Sequence, residues 1–375
     1  MAVNSSQPVA LHCVPVPEFG GVARHVSDLA EAGLPGYHLV VLCPAGALSA
    51  RLKELGADVR EADFGTGAGF AASLHTLDTL IDDLKPAIVH SHLAYADVVA
   101  AAAVNLRKAR KLVHRGTYVP TLFTTEHGIA GDDAVYHGTS WRSRLMETVH
   151  RVRLWGTDGK IAVSQSTADQ MKRKWGASGV EVVYNGINAT ETQQAVAGRR
   201  IKAGEGVLRV LSLARLAPEK GLDILVEAFA QVREQVPGAT LEIAGAGDLK
   251  DALARQVAEL GLEDSVTFPG FVNPVEAMGR ADVLVQLSVW ENCSYTLLDA
   301  KAARLAVVAT AVGGNPEILD GSELVPALNQ MKREVAVATV AQKILTSRQD
   351  SSEPMNWISK AGMGQAIDDL YRKVG

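Results

Sequence analysis

The stretch VLRVLSLARLAPEKGLDILVEAFAQVREQVPGATLEIAGAG, residues 207–247, decides the fold class. VLRVLSLARL is an apolar run of strand length, and Gly221 to Val236 carries apolar residues at helical spacing until Pro237 stops it. TLEIAGAG is then a second strand. A strand, a helix and a strand in immediate succession form the crossover unit that joins parallel strands. The same alternation continues outward. Downstream, Leu249 to Leu260 reads as a helix stopped by Gly261, and VTFPGFV, DVLVQLS and AVVAT supply three strands, with a helix from Tyr295 to Leu305 between the last two. Upstream, VALHCVPV (9–16) is followed by an amphipathic stretch from Val22 to Ala32, then YHLVVLCP, a short helix over Leu48 to Leu55, a strand near Val59, and a helix from Phe70 to Leu84. AIVHSHL, a helix from Tyr95 to Lys111, TLFTTEHG, a basic segment from Trp141 to Trp155, KIAVSQS and VEVVYNGIN complete this half. Apolar periodicity lapses from Ala189 to Glu205. The expectation is an α/β protein with two open parallel sheets, divided into residues 1–189, 190–355 and a tail 356–375, with a cleft between the sheets. Ligands of such sheets bind beyond the carboxyl ends of the strands, so the segments after each strand hold the candidates.

Composition agrees with two ordinary globular domains. The chain has 375 residues, 47% hydrophobic and 21% charged. Its three cysteines, Cys13, Cys43 and Cys293, are too few and too scattered for a disulfide framework or a Cys-rich zinc site, which points to a reducing, cytosolic home. The N-terminal MAVNSSQPVA lacks a basic stretch followed by an apolar core, and no apolar run reaches bilayer-spanning length. The formal charge of −5 conceals an asymmetry. From Arg107 to Lys174 there are thirteen Lys/Arg against six Asp/Glu. That excess suits either an anionic partner or solvated helix faces and a helix end, Arg107 to Lys111, where cations meet the dipole favourably.

Common nucleotide motifs fail. No G-x-x-x-x-G-K-[ST] occurs, AGAGDL has Gly245 and Gly247 without a third glycine, and GTGAGF also departs from the dinucleotide pattern. No linear His/carboxylate spacing suggests a metal. Four segments after strands are polar for their positions. In LARLAPEKG, Arg215 and Lys220 combine a guanidinium and an ammonium suited to a diphosphate, although either could pair with Glu219 at a helix start. In SVWENCSYTLLDA, Glu291 lies beyond a strand, Ser294 can cap the next helix, and Asp299 lies just over one turn inside it. Two such carboxylates can hold the hydroxyls of a sugar or ribose, or serve the cap and the dipole. In PEFGG, Gly20 and Gly21 either admit a ligand close to the backbone or make a plain turn. In TTEHG, His127 or its neighbour Glu126 is placed to act.

Taken together, GGVARHV, EHG, AVSQS, VVYNGIN, RLAPEKGLDILVEAF, LEIAGAGDL, VTFPGFV and ENCSYTLLDAKAARLAVVATAVGGNPEIL resemble the retaining glycosyltransferases of family 4, in that family's order and across nearly the whole chain. The resemblance implies the GT-B fold: two Rossmann-like domains, with acceptor mainly on the first, sugar nucleotide mainly on the second, and a C-terminal helix, Trp357 to Lys373, crossing back to the first. It implies an EC 2.4 enzyme without a metal requirement, serving polysaccharide, glycolipid or secondary-metabolite synthesis. Its partners would be a nucleotide-diphosphate sugar and a hydroxyl acceptor, with neither nucleic acid nor a resident cofactor. By the same resemblance Arg215 and Lys220 hold the diphosphate, Glu291 meets the donor sugar, and Asp299 stands where the family usually has Glu on the ribose. Gly20 and Gly21 approach phosphate and acceptor, and His127 contacts the donor sugar. Asn292, Cys293, Ser294 and Tyr295 offer backbone groups to sugar hydroxyls, and Phe271 and Val272 line the base pocket.

Breaking a sugar–phosphate bond builds negative charge on the diphosphate, so positioned cations favour the transition state over the ground state. The resemblance implies same-face attack with retention; a double displacement stays open. Other readings are a GT-B epimerase or hydrolase, or a non-catalytic sugar-nucleotide sensor. The segment with Trp141, Arg142, Arg144, Arg151, Arg153 and Trp155 suits peripheral contact with an anionic membrane face presenting a lipid-linked acceptor, or equally a solvated helix. The residues do not specify donor, acceptor or oligomeric state.

Overall fold

The computed structural model describes residues 7–129, 140–201, 206–347 and 355–374. The chain forms two compact units, Met1–Gly186 with Ile358–Gly375, and Ile187–Trp357.

Unit 1 carries strands β1 (Val9–Cys13), β2 (His38–Cys43), β3 (Asp58–Glu61), β4 (Ile88–His92), β5 (Thr121–Glu126), β6 (Gly159–Ala162) and β7 (Val180–Val182). They form one parallel sheet in the order β3-β2-β1-β4-β5-β6-β7. The central strands are buried on both faces, as continuous apolar runs such as HLVVLC require. The helices between them are α1 (Gly21–Ala32), α2 (Ala47–Glu54), α3 (Phe70–Leu84), α4 (Ala94–Val113), α5 (Ser140–Trp155) and α6 (Gln165–Trp175). Helix α6, absent from the expected elements, begins at Ser164, whose side chain accepts from Thr167 N, and ends at Gly176 in a left-handed conformation. The strand order reverses direction between β1 and β4, which makes the carboxyl ends of those two strands the natural binding crevice of this sheet.

Unit 2 repeats the plan with β8 (Arg209–Leu213), β9 (Thr240–Ala244), β10 (Val266–Gly270), β11 (Val283–Gln286), β12 (Ala306–Thr310) and β13 (Leu324–Val325), in the order β10-β9-β8-β11-β12-β13. Its switch lies between β8 and β11. Helices α7 (Ala189–Ala197), α8 (Leu222–Gln235), α9 (Lys250–Glu259), α10 (Pro274–Gly279), α11 (Tyr295–Ala302), α12 (Asn315–Ile318) and α13 (Arg333–Thr346) surround the sheet. Helix α7 occupies part of the stretch where apolar periodicity lapses, because it buries only Val196. Helix α13, which the expected elements omit, turns Ala336, Val337, Val340, Ala341 and Ile344 inward to join the cluster around Phe229 and Val232 of α8.

The last helix, α14 (Lys360–Val374), belongs to unit 1. Met363, Ile367 and Tyr371 pack with Ala10, Leu29, Ile88, Phe123 and Ile161. Its Asp368 accepts from Gly36 N at 2.6 Å.

Candidate functional site

In unit 2 the candidate residues gather at the switch between β8 and β11. The chain leaves β8, passes Arg215, and makes a single 3-10 turn, Pro218–Lys220, before α8. Gly221 joins the two with φ +59°. Lys220 Nζ donates to Glu291 Oε2 at 2.9 Å and to Ser288 Oγ at 3.3 Å. The same carboxylate oxygen accepts from Ser288 Oγ at 3.1 Å and Gln286 Nε2 at 3.2 Å. Gln286 is fixed in turn by Ser294, whose hydroxyl donates to its Oε1 at 2.9 Å. Thus the end of β11, the turn before α8 and the cap of α11 hold one ammonium and one carboxylate in register. Both remain partly accessible, at 21% and 17% side-chain exposure. A cation and an acceptor at a strand switch can bind an anionic group and a hydroxyl side by side.

Arg215 follows the other route that its sequence allowed. Its guanidinium pairs with Glu219, four residues on, and its side chain is 64% exposed. Glu219 is itself buried, and its carbonyl accepts from Val289 N at 2.8 Å, so the pair ties the β8 loop to the segment after β11. Asp299 lies on α11 and is buried, as are Asn292, Cys293, Ser294 and Tyr295 around that helix's start. Ser294 caps α11 by accepting from Leu297 N at 3.4 Å. Phe271 is 87% exposed after β10, and Val272 beside it is half-buried. Gly245 has φ +142°, and a Cβ there would lie 2.0 Å from the carbonyl oxygen of Ala214. The glycine that fits no dinucleotide motif therefore lets β9 end against the loop carrying Arg215.

In unit 1 the strand switch holds histidines. His90 and His92 alternate along β4 and so share one face, and His12 on β1 pairs with His90 across the sheet. His92 Nε2 lies 2.9 Å from His12 Nδ1, and His92 Nδ1 lies 2.8 Å from His127 Nε2. Tyr371 of α14 places its hydroxyl 2.9 Å from His12 Nε2 and in closer contact with His90 Nδ1. His90 Nε2 reaches Thr125 Oγ1 at 2.7 Å. His25 on α1 completes the group, its ring centroid 4.7 Å from that of His127. Burial, and the other imidazoles nearby, hold His90, His92 and His127 well below the usual imidazole range. Burial pushes His12 down to about 3 and His25 down to about 4.

Only His127 of these five stood out in the sequence. The H-S-H alternation in AIVHSHL, on a strand adjacent to VALHCVPV, was the signal for two more. Linear spacing gave no metal motif, yet among the described residues two histidine triads, His12/His90/His92 and His25/His92/His127, could each hold a metal ion.

Two expectations are corrected in this unit. Arg153, placed with the basic surface, is buried: it pairs with Asp97, and with Glu126 at 2.7 Å, and lies over the Trp175 ring. Two buried carboxylates need a permanent counter-charge, and only a guanidinium keeps its proton there. Glu126 is thereby held in a buried ion pair, while His127 beside it is half-buried. Arg107 likewise leaves the helix-end role to Arg110 and Lys111, turning inward to Asp78 at 2.6 Å and Asp82 at 2.7 Å. The side chains of Trp141, Arg142 and Arg144 lie outside the described residues. Gly20 caps α1 with an extended backbone, and a Cβ at Gly20 or Gly21 would meet nothing within 4 Å.

Comparison with known proteins places this geometry. The model "Glycosyltransferase Family 4" matches residues 19–191, and "Glycosyl transferases group 1" matches residues 199–358. The chain belongs to glycosyltransferase family 4. An uncharacterized glycosyltransferase of Methanocaldococcus jannaschii is 31% identical over 56% of this chain and 55% of that one. Glycogen synthase of Mycobacterium tuberculosis is 29% identical over 79% of this chain and 75% of its own. Among solved structures, Anabaena HepE in complex with UDP-glucose superimposes with a TM-score of 0.70 at 20% identity, covering 98% of each chain. A glycosyltransferase from Rickettsia africae gives 0.69 at 16% identity, over 98% of this chain and 99% of that one. The fold of this family 4 chain is thus GT-B, two α/β units each with a parallel sheet. No helix among its described residues is long and apolar enough to cross a membrane.

Proposed function

We propose that this family 4 enzyme transfers a sugar, with retention and without a metal requirement, from a nucleotide-diphosphate sugar to a hydroxyl acceptor. The observation that carries the reading is the Lys220–Glu291 pair at the β8/β11 switch, 2.9 Å apart and partly open to solvent. A donor diphosphate would exchange with Glu291 as the partner of Lys220, leaving the carboxylate to accept from sugar hydroxyls. Arg215 would swing its exposed guanidinium from Glu219 to the same phosphates. As the sugar–phosphate bond breaks, charge accumulates on the diphosphate, and both cations gain interaction energy that the ground state lacks. Asp299 would hold the ribose, the N-terminus of α11 and the segment Asn292 to Tyr295 would offer backbone donors to the sugar, and Phe271 with Val272 would face the base. In unit 1, Gly20 and Gly21 would let phosphate or acceptor approach α1, since neither glycine is required by the protein's own packing. His127 would contact the donor sugar.

The names of two relatives support the donor class: HepE was solved with UDP-glucose, and an M. tuberculosis relative is a GDP-mannose-dependent mannosyltransferase. Incubating the chain with a panel of nucleotide sugars and acceptors in EDTA, and reading nucleoside diphosphate release with the anomeric configuration of the product, tests the proposal. Lys220→Ala should lower turnover by more than about tenfold. Nucleotide binding by calorimetry without turnover of any donor would favour a sensor, and turnover that needs no acceptor would favour a hydrolase or epimerase.

A cytoplasmic, peripheral placement with a lipid-linked acceptor is supported by a second observation. Lys108 donates to Gly156 O at 3.4 Å and pairs with Asp158, tying the end of α4 to the end of α5. On those ends Leu112, Val113, Val152 and Trp155 are exposed at 88%, 78%, 64% and 92%, beside exposed Arg110 and Arg151. An apolar patch rimmed by cations fits an anionic bilayer surface. Flotation with anionic liposomes at low salt should carry the chain upward and Trp155→Ser should not; absence of flotation by the native chain would discard the placement.

A further inference from the structure

The histidine cluster of unit 1 contains one group for which protein packing alone gives no use. His25 is buried on α1, its Nδ1 donates to Asn185 Oδ1 at 3.0 Å, and its Nε2 has no hydrogen-bond partner. An imidazole whose proton is committed on one side presents a bare lone pair on the other. A buried lone pair without a donor costs stability, and metal-ligating histidines use this arrangement, with the far N–H held by a neighbouring amide or carboxylate. One nitrogen of His25 lies within 4.8 Å of one nitrogen each of His92 and His127.

We propose that His25, His92 and His127 form a binding site for one divalent transition-metal ion of the zinc, cobalt or nickel class. Metal–nitrogen bonds of about 2.0–2.1 Å place tetrahedral ligands about 3.4 Å apart. The facing nitrogens of His92 and His127, 2.8 Å apart, need separate by only a few tenths of an ångström. His92 would ligate through Nδ1. Its proton then sits on Nε2 and is donated to His12 Nδ1. The remaining links follow in one direction: His12 Nε2–H to the Tyr371 hydroxyl, that hydroxyl to His90 Nδ1, and His90 Nε2–H to Thr125 Oγ1. Each nitrogen in the chain donates or accepts once, so ligation leaves no buried clash of protons. The three neutral rings lose no proton overall, because the hydrogen between His92 and His127 moves to the far nitrogen of its own ring. The alternative triad, His12/His90/His92, is unsuitable, since His12 and His90 are engaged with Tyr371 and the group is fully buried. His127 is only half-buried, which gives the ion an entry and leaves a fourth position for water or a ligand oxygen.

The inference shares His127 with the proposed transfer reaction, where ion and donor sugar would compete for its imidazole, and it is tested without a sugar nucleotide. The full chain is titrated with Co2+, and the visible d–d bands of a four-coordinate, nitrogen-ligated centre are followed. The native chain should bind one equivalent, and His25→Gln and His127→Gln should weaken binding by at least about tenfold. Asn185→Ala, which keeps all three ligands and removes the holder of the His25 proton, should weaken it about ten- to a hundredfold. Should His25→Gln fail to fold by circular dichroism, the His127 and Asn185 variants decide. The proposal is overturned if the native chain gives no such bands, if the folded variants bind as tightly as it does, or if a thiolate charge-transfer band assigns the ion to a cysteine.

Discussion

At the scale of single residues, the unit 2 site depends on a glycine outside the set of candidate binding residues. Gly313 has φ +53°, and a Cβ on it would lie 1.7 Å from the carbonyl oxygen of Glu291. No side chain fits, and any residue but glycine pays a further backbone penalty in that conformation. Gly313→Ala should therefore displace the Glu291 segment, lower the thermal midpoint, and reduce donor turnover by more than about tenfold while the Lys220 charge remains. A crystal structure or kinetic assay finding Glu291 in place and turnover unchanged would refute it. Lys220 and Glu291 were legible in the sequence because strand ends announce themselves by the polar residues that interrupt apolar runs. Gly313 was not, since its necessity comes from the carbonyl of a residue on a different loop. Arg153 was misjudged for a related reason: an arginine in a basic helix reads as surface until the buried Asp97 and Glu126 are seen beneath it.

Among the elements, α14 has the strongest hold on a site it does not belong to in sequence. Tyr371 supplies one hydroxyl to both His12 and His90 and packs edge-on against Phe123. Tyr371→Phe keeps the ring and removes the hydroxyl, leaving two buried imidazoles short of a partner. The expected loss is about 1–3 kcal/mol, read as a lower urea midpoint with an unchanged slope; equal midpoints would mean that the histidines find other partners. The helical period that reveals α14 says nothing about which strand Tyr371 will meet. Elements with broad apolar runs between turn residues, such as β8, α8 and β9, were readable outright. Helix α6 was hidden because Gln165 to Trp175 has few apolar residues, burying Thr167, Ala168, Met171 and Trp175.

For the molecule as a whole, the neutral histidines set its response to acid. Unfolded imidazoles titrate near 6.5, whereas folding lowers His12 to about 3 and His25 to about 4 and depresses His90, His92 and His127 as well. Above 6.5 both states are neutral and the linkage vanishes. Below it the unfolded chain takes up protons that the folded chain refuses, so stability falls with pH, by about 1.4 kcal/mol per pH unit for each histidine, until the folded values are reached. The urea midpoint should drop sharply between about pH 7 and about pH 5; a flat profile would mean that the cluster protonates while folded. The two-sheet plan was visible in the alternation of strands and helices, but the meeting of five histidines was not, because it needs the strand order, which brings β1 beside β4 across five intervening elements.

That the last helix is part of unit 1 also fixes an order of events during synthesis. When Gly186 leaves the ribosome, every strand of the first sheet has been made, yet the surface that Met363, Ile367 and Tyr371 will cover is bare. All of unit 2 must be translated first, a delay of roughly ten to thirty seconds at ordinary elongation rates. The nascent first half must survive that interval with an unsealed apolar face, which makes it the stretch of this chain with most need of a chaperone.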